Sequence, residues 1–333
     1  MEAFVTATGV QVFRLPLRVF PTLVGYAYLL LGREGAVLVD VGSGLPDSNA
    51  DLLHGFEQVG RHLGRSISLA DVDLIIISHG HIDHFGGLPF VREHTQAPIH
   101  VHELDRRVLS RFEERTALAT RDLDLWLRRA GVRAERRRQL LEMYGFAKAF
   151  YTSVPVQGVF RDEEHIAYFD IVHTPGHCPG LVCLRVDDVF LVGDHVLPRT
   201  SPHLSPERIT RYTGLGHYLE SLRKLERHLD GVRLALGGHE DPMSDVGARV
   251  QAIRSSHEEK LRHVLDICRT PHTIAEISML RYHRRHGYDV LLALTETGAH
   301  VEYLYDRGYL RVANLEDVEQ DATAPVYYEA VAS

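Results

Sequence analysis

A mixed α/β fold is what this chain predicts. Three features point to it: short β-branched runs that end in Gly, His or Asp, amphipathic helix-length stretches between them, and a helix-rich tail after about residue 245. Taken in order, residues 10–17 and 26–31 favour strand, and Arg33, Glu34 and Gly35 turn the chain into a third run at 36–39. That meander ends at Asp40, before the turn Val41-Gly42-Ser43-Gly44, after which Asp47 or Ser48 is placed to cap a helix reaching about Leu63. Leu74-Ile75-Ile76-Ile77 reads as a buried strand. His79-Gly80-His81-Ile82-Asp83-His84 follows at its carboxyl end, where open α/β sheets present functional groups. Gly86 and Gly87 then open into a helix over 88–94, and 98–102 is a further strand. Residues 104–148 are helical in composition. Strand character returns at 154–160 and 166–173 and breaks at Thr174-Pro175-Gly176-His177-Cys178-Pro179-Gly180, whose prolines and glycines fix a loop around one histidine. A hairpin over 181–192 delivers Gly193-Asp194-His195, a capped helix spans 206–229, and a strand at 233–236 ends in Gly237-Gly238-His239-Glu240.

Strand ends and one rigid loop thus carry Asp40, the histidine cluster, His177, Asp194 and His239. In a chain with 22 histidines a single pair would mean little. Three imidazoles and a carboxylate on one strand-end loop are different, because each must shed water and the imidazoles repel one another once protonated. Coordination of a cation removes both penalties. Neutral imidazole with carboxylate suits zinc, iron or manganese.

The 333 residues carry a formal charge of −8, with 44% hydrophobic and 25% charged positions, which gives globular material with no overall attraction to nucleic acid or an anionic membrane. Three cysteines without a CxxC pair argue against a disulfide framework and for a reducing cytosol, and the N-terminal stretch has neither a signal-peptide layout nor a membrane-length run. Charge gathers locally: residues 104–148 hold twelve Lys and Arg against seven Asp and Glu. Solvated helix faces explain such an excess. The alternative is a basic rim for an anionic substrate, with Arg133, Arg136, Arg137 and Arg138 as members and aromatic lining from Tyr144, Trp126, Phe146, Phe150 or Tyr151, for which core packing is the other use.

A strand-end Asp, then HxHxDH, Gly-His, Gly-Asp and a final Gly-His, in this order over about residues 10–245, resemble the metallo-β-lactamase superfamily. The resemblance implies an αβ/βα four-layer sandwich over residues 1–245, with a helical insert at about 104–150, and two divalent metal ions, zinc first and iron or manganese as alternatives. It implies that His79, His81 and His177 hold one ion and that Asp83, His84 and His239 hold the other. Asp194 would bridge them, making Asp83 and Asp194 the carboxylates at the reacting centre, while Asp40 supports a ligand or its loop by hydrogen bonding. Cys178 reads as a small packed residue; His195 and Glu240 flank ligands and either face the pocket or pack. Flavodiiron oxygen reductases place a carboxylate where His81 stands, and the interval between Asp194 and His239 is too short for the domain that β-CASP nucleases insert there.

Residues 246–333 resemble the winged-helix tail of the β-lactamase-like-protein-2 branch. The order is a long helix over 244–268, a break at Thr270-Pro271-His272-Thr273, helices over 274–284 and 290–305, a stop at Gly308, a strand at 309–312 and a return strand at 326–330. From 290 to 306 there are Glu296, Glu302 and Asp306 and no Lys or Arg, which opposes DNA binding and favours a cover for the site or a dimer surface. The function these implications favour is hydrolysis of a small ester or thioester by a hydroxide bridging two ions. A metal-dependent endoribonuclease acting on single-stranded RNA through the Arg-rich insert is the alternative. A winged-helix binding or sensor protein and a mono-iron persulfide dioxygenase are further ones.

Overall fold

Side chains that alternate along a strand go to opposite faces of its sheet, and this alternation builds the part of the fold that carries the histidine cluster. The computed structural model describes residues 1–283 and 285–331. Its chain divides into two compact units that do not follow chain order: Met1–Phe112, Tyr151–Pro202 and Ser221–Val250 form the first, and Glu113–Phe150, His203–Glu220 and Gln251–Ser333 the second.

In the first unit, strands β1 (Glu2–Val5), β2 (Gln11–Phe20), β3 (Leu23–Gly32), β4 (Gly35–Val39), β5 (Leu74–Ile77), β6 (Ile99–His102) and β7 (Gly158–Phe160) make one sheet in chain order. They pair antiparallel as far as β4 and parallel from β4 to β7. A second sheet runs in the order β12 (Leu234–Gly237), β11 (Val189–Gly193), β10 (Val182–Val186), β9 (Phe169–His173), β8 (His165–Ile166), with only the β11–β12 pair parallel. Leu29, Leu31, Leu38, Ile75 and Ile77 turn to one face of the first sheet and pack with Leu52, Phe56 and Val59 of helix α1 (Pro46–Leu63). Their strand neighbours Tyr28, Leu30, Val37, Val39 and Ile76 turn to the other face, against Leu184, Leu191 and Leu236 of the second sheet. The result is a sandwich with apolar layers on both faces of the first sheet. At the strand ends the sheets are tied directly: Tyr28 Oη donates to Gly237 O at 2.5 Å and Tyr26 N to Gly238 O at 2.9 Å.

Short helices α2 (Ile82–Phe85), α3 (Leu88–Arg92) and α4 (Arg106–Ser110) follow β5 and β6. The insert folds as α5 (Phe112–Arg129) and α6 (Ala134–Lys148), and α7 (Leu215–Glu226) and α8 (Val246–Ile267) flank β12 in sequence. The tail contains α9 (Ile274–Arg281), α10 (Asp289–Asp306) and α11 (Leu315–Gln320), with β13 (His272–Thr273), β14 (Leu310–Val312) and β15 (Tyr327–Ala330) paired antiparallel in the order β13, β15, β14. Insert and tail share one core in the second unit, where Leu123, Trp126 and Leu127 pack with Ile277, Leu294 and Val301. Among the described residues no helix is long and apolar enough to cross a membrane.

Several expectations change in detail. Helix α1 starts at Pro46 with no side-chain cap, because Ser48 lies inside the helix and its Oγ accepts from Ser43 N at 3.1 Å instead. Helical structure begins at Ile82, so Asp83 and His84 sit on a helical turn rather than in a loop. The expected strand over 166–173 is split by Ala167, whose φ of 51° is left-handed, and the helix expected from 206 begins only at Leu215. Helix α9 stops at Arg281; Arg284, the expected end, lies outside the described residues, as do Ala332 and Ser333 at the end of the tail.

Candidate metal centre

The first unit brings the carboxyl ends of β4, β5, β11 and β12 together, and with them Asp40, His79 to His84, Asp194 and His239. His177 joins from the loop after β9. His79, His81 and His177 form one trio of ligand-capable side chains, and Asp83, His84 and His239 another. Between them, Asp194 Oδ2 lies 3.5 Å from His239 Nε2, 3.6 Å from His84 Nε2 and 3.7 Å from His177 Nε2. Asp83 Oδ2 is 3.2 Å from His239 Nε2, and His79 Nε2 is 3.1 Å from His81 Nδ1. These separations suit atoms that share cations, since zinc holds nitrogen and oxygen at about 2.0–2.2 Å and spaces its ligands accordingly.

A family model described as the metallo-β-lactamase superfamily matches residues 21–262. The chain belongs to this superfamily. No protein of curated function matches it by sequence. Among solved structures, it is similar to a metallo-β-lactamase family protein of Thermus thermophilus, 25% identical, over 97% of this chain and 99% of that one, at a TM-score of 0.75. A β-lactamase domain protein of Burkholderia ambifaria, 23% identical, matches 99% of this chain and 94% of its own at a TM-score of 0.71. A metallo-β-lactamase of Cronobacter sakazakii, 16% identical, covers 79% of this chain and 95% of its own at a TM-score of 0.51. The last comparison leaves about a fifth of the chain unmatched, whereas the first two take in nearly all of it.

The superfamily's cluster is held from outside by hydrogen bonds that fix each ring. His84 donates Nδ1–H to Asp40 Oδ2 at 2.8 Å, which turns Nε2 inward. Asp40 also accepts from Ser78 N and Ser78 Oγ, both at 2.7 Å, and Ser78 Oγ in turn meets His79 Nδ1 at 3.1 Å. His239 Nδ1 donates to Val24 O at 2.7 Å. Orienting the far nitrogen in this way selects the tautomer that a ligand needs. Asp40 adopts φ 61°, a left-handed conformation that costs a non-glycine residue energy and turns up at functional sites. Gly238 is required by closeness: a Cβ there would overlap Asp194 Oδ1 and His84 Cε1.

The protonation equilibria show what the cluster lacks. Burial and the neighbouring imidazoles push His79 well below the ordinary histidine range, and burial and His177 do the same to His81. For His239 burial is outweighed by the charge of Asp194 and by bonds to Asp194 and Asp83, which lift it to about 10; the same carboxylates and Asp40 lift His84 against its burial. Asp83, despite burial, is drawn down to about 2 by His84 and His239. Protons on His84 and His239 are thus the only positive charges available to these buried carboxylates within the cluster. His84 Nε2 and Asp194 Oδ1 are also buried with no hydrogen-bond partner among the described residues. A pair of divalent cations answers both deficits, so the residues fit the group the superfamily implies.

Other expected residues fall elsewhere. His195 is fully buried and held neutral, at about 3, chiefly by desolvation and further by the charge of His177. Glu240 turns away: its carboxylate accepts from Arg199 N at 2.6 Å and Thr200 Oγ1 at 2.8 Å. Cys178 Sγ donates to Asp105 Oδ2 at 3.3 Å, as befits a packed thiol. Arg133, Arg136, Arg137, Arg138 and Tyr144 lie on or beside α6 in the second unit. There Arg137 Nε binds Asp124 Oδ1 at 2.7 Å, Arg136 Nη1 binds Gln139 at 3.1 Å, and Tyr144 lies under Lys148. Trp126 belongs to the second unit's core, while Tyr151 is buried in the first, its phenol pushed up to about 12 by desolvation and the Asp83 charge.

Asp105 went unnoticed in the sequence. Its fully buried carboxylate accepts from Gly80 N at 2.7 Å and Gly180 N at 3.0 Å, clamping the loop of His79 and His81 to the loop of His177. The available signal was positional: like Asp40, it stands just beyond a strand's carboxyl end.

Proposed function

We propose that this chain is a binuclear metal-dependent hydrolase of a small ester or thioester. The observation that carries the reading is the placement of Asp194, one carboxylate oxygen facing three imidazole nitrogens at 3.5 to 3.7 Å with a ligand trio on either side. His79, His81 and His177 would hold one divalent cation, Asp83, His84 and His239 the second, and Asp194 both; zinc suits these donors, as do iron and manganese. When bound, such ions supply a nucleophile from water at neutral pH and Lewis acidity toward a carbonyl oxygen. The chain's own part is placement. Asp40 and Ser78 keep His84 and His79 in the inward-facing tautomer, Val24 O does so for His239, and Asp105 holds the two histidine loops at a fixed spacing. No thiol nucleophile competes, because burial pushes Cys183 and Cys268 up to about 12 and Cys178 is engaged by Asp105. Three free, buried cysteines also suit a reducing cytosol.

The test is hydrolysis of a panel of acyl thioesters, esters and lactones beside labelled single-stranded RNA, with zinc or manganese added and the Asp194→Ala protein as blank. Turnover of an acyl substrate that disappears in the variant supports the reading. Cleavage of RNA alone, lost in the same variant and falling steeply with salt, overturns it in favour of a ribonuclease.

A further inference from the structure

Inside the second unit three more ligand-capable side chains meet, away in sequence from every motif of the superfamily. His257 stands on α8, and Glu296 and His300 stand on α10 at i,i+4 spacing, which puts them on one helix face; all three are buried. His257 Nδ1 and His300 Nε2 are 3.1 Å apart. The same separation is found between His79 Nε2 and His81 Nδ1, and it is near the ~3.4 Å between two nitrogens on a tetrahedral zinc. His300 is already oriented, since its Nδ1 donates to Glu296 O at 2.7 Å and so leaves the Nε2 lone pair toward His257. On the far side of the pair, His257 Nε2 is buried with no hydrogen-bond partner among the described residues, so the two rings are not part of a longer polar chain. Glu296 brings a carboxylate oxygen within 4.8 Å of one nitrogen of each ring, its Oε1 lying 4.0 Å from His300 Nδ1. Its Oε2 is held by Leu204 N at 2.9 Å, and its Oε1 is paired with Lys260 Nζ at 3.1 Å. Burial keeps both imidazoles neutral, His257 at about 3 and His300 at about 4, while Glu296, despite its burial, is held down at about 2 with the Lys260 ammonium beside it. Two neutral imidazoles and one carboxylate are the forms in which these groups bind a cation.

We propose that His257, His300 and Glu296 form a third, mononuclear site for a divalent ion of the zinc class, which cross-links α8 to α10 inside the second unit. Lys260 is its competitor. In the metal-free state the ammonium provides the positive charge that Glu296 Oε1 needs, and a bound ion takes over that role, so the site is conditional where the first unit's centre is not. Because its protein ligands come from two buried helices, the ion would act as a clasp between them, with three protein ligands and a fourth position left to water.

The experiment uses the full chain with the first centre disabled by His79→Ala, His81→Ala and His239→Ala, titrated with cobalt(II) and followed by its visible absorption. One equivalent is expected to bind. Adding His300→Gln is expected to abolish it, and adding Lys260→Met to tighten it by about tenfold, because a competing charge is gone. Absence of cobalt binding in the parent, or binding that neither second substitution changes, overturns the site and leaves a neutral hydrogen bond between the two histidines. Should His300→Gln fail to fold, Lys260→Met decides alone: unchanged affinity rejects the proposal. None of these readouts depends on hydrolysis, so the proposal stands or falls apart from the activity of the first centre.

Discussion

The two histidine clusters differ in how much of the chain is committed to holding them. In the first unit His79, His84 and His239 each have their outer nitrogen bound, to Ser78, Asp40 and Val24, and a buried carboxylate clamps the loops between. Asp83 and Asp194 find positive charge there only on imidazoles, which are forced to stay protonated. In the second unit only His300 has its outer nitrogen fixed, and Glu296 already has Lys260. Carboxylates whose countercharge is borrowed from anchored imidazoles fit a centre built around cations; a carboxylate with an ammonium of its own fits one that can do without. The largest expected effect of any substitution therefore falls on Asp194. Replacing it with Ala removes the shared oxygen, and because outer hydrogen-bond partners alone are worth about 10–100-fold in metal affinity, the loss is expected to exceed about 100-fold, read as metal content after dialysis together with turnover.

Asp40 is expected to come next. Asp40→Ala frees His84 Nδ1 and Ser78 at once, and metal affinity should fall by about 10–100-fold with the chain still folded. Asp105→Ala tests the clamp: it takes the acceptor from the part-buried Gly80 N–H and the buried Gly180 N–H, the latter a cost of about 1–3 kcal/mol, with a loss of about tenfold in metal affinity. If competition with a chelator shows Asp40→Ala binding as tightly as the unaltered chain, the tautomer-setting role of that carboxylate is wrong.

The contrast between occupied and metal-free protein can be sharpened with pH. His239 is raised to about 10 in the metal-free fold, so its contribution is fully present below 6.5 and is lost as pH rises from 6.5 toward 10. His102 and His195 are depressed to about 3, by burial first and then by His173 for His102, so stability is lost as pH falls from 6.5 toward 3, because the unfolded chain binds protons the fold refuses. Metal-free protein should therefore be most stable near pH 6.5, with losses of up to about 1.4 kcal/mol per group per pH unit on either side. Saturating zinc should flatten the alkaline side alone, where the ion replaces the protons on His84 and His239. Denaturant unfolding at pH 5, 6.5 and 9 with and without zinc checks this; an alkaline loss that persists with zinc contradicts it.

The clustered positions were legible because ligand-capable residue types stand at strand ends: Asp40, His79 to His84, His177, Asp194 and His239 are brought together as their places in the sequence implied. The sheets were legible from period-two burial, as in Leu29 and Leu31 against Tyr28 and Leu30. What could not be read was set by contacts remote in sequence. Ser78 and Asp105 are ordinary residues until folding sets them beside His79 and Gly180, and Glu240 resembled a pocket residue until its partners Arg199 and Thr200 were known. The acidic face expected on α10 is another case. Glu296 and Glu302 are turned inward to Leu204, Glu207 and Arg208 backbone N–H groups, so they hold the loop before α7 within the second unit.

The smallest expected effect concerns the basic insert, and it decides how much of that charge is available to a substrate. Arg137 is mostly buried between α5 and α6, with Nε on Asp124 Oδ1 and Nη1 on Val132 O at 3.3 Å. Asp124 is also held by Arg128, whose Nη2 reaches Oδ2 at 2.7 Å. Removing Arg137 therefore leaves the carboxylate paired, and Arg137→Ala should cost no more than about 1 kcal/mol in unfolding free energy, as shared surface ion pairs do. Its guanidinium spends its geometry on the helix hairpin, so the KM for a neutral acyl substrate should stay within about twofold of the parent. A severalfold rise in KM with unchanged stability would mean that the arginine serves a substrate after all, and would put the basic rim, with RNA as its ligand, ahead of solvated helix faces.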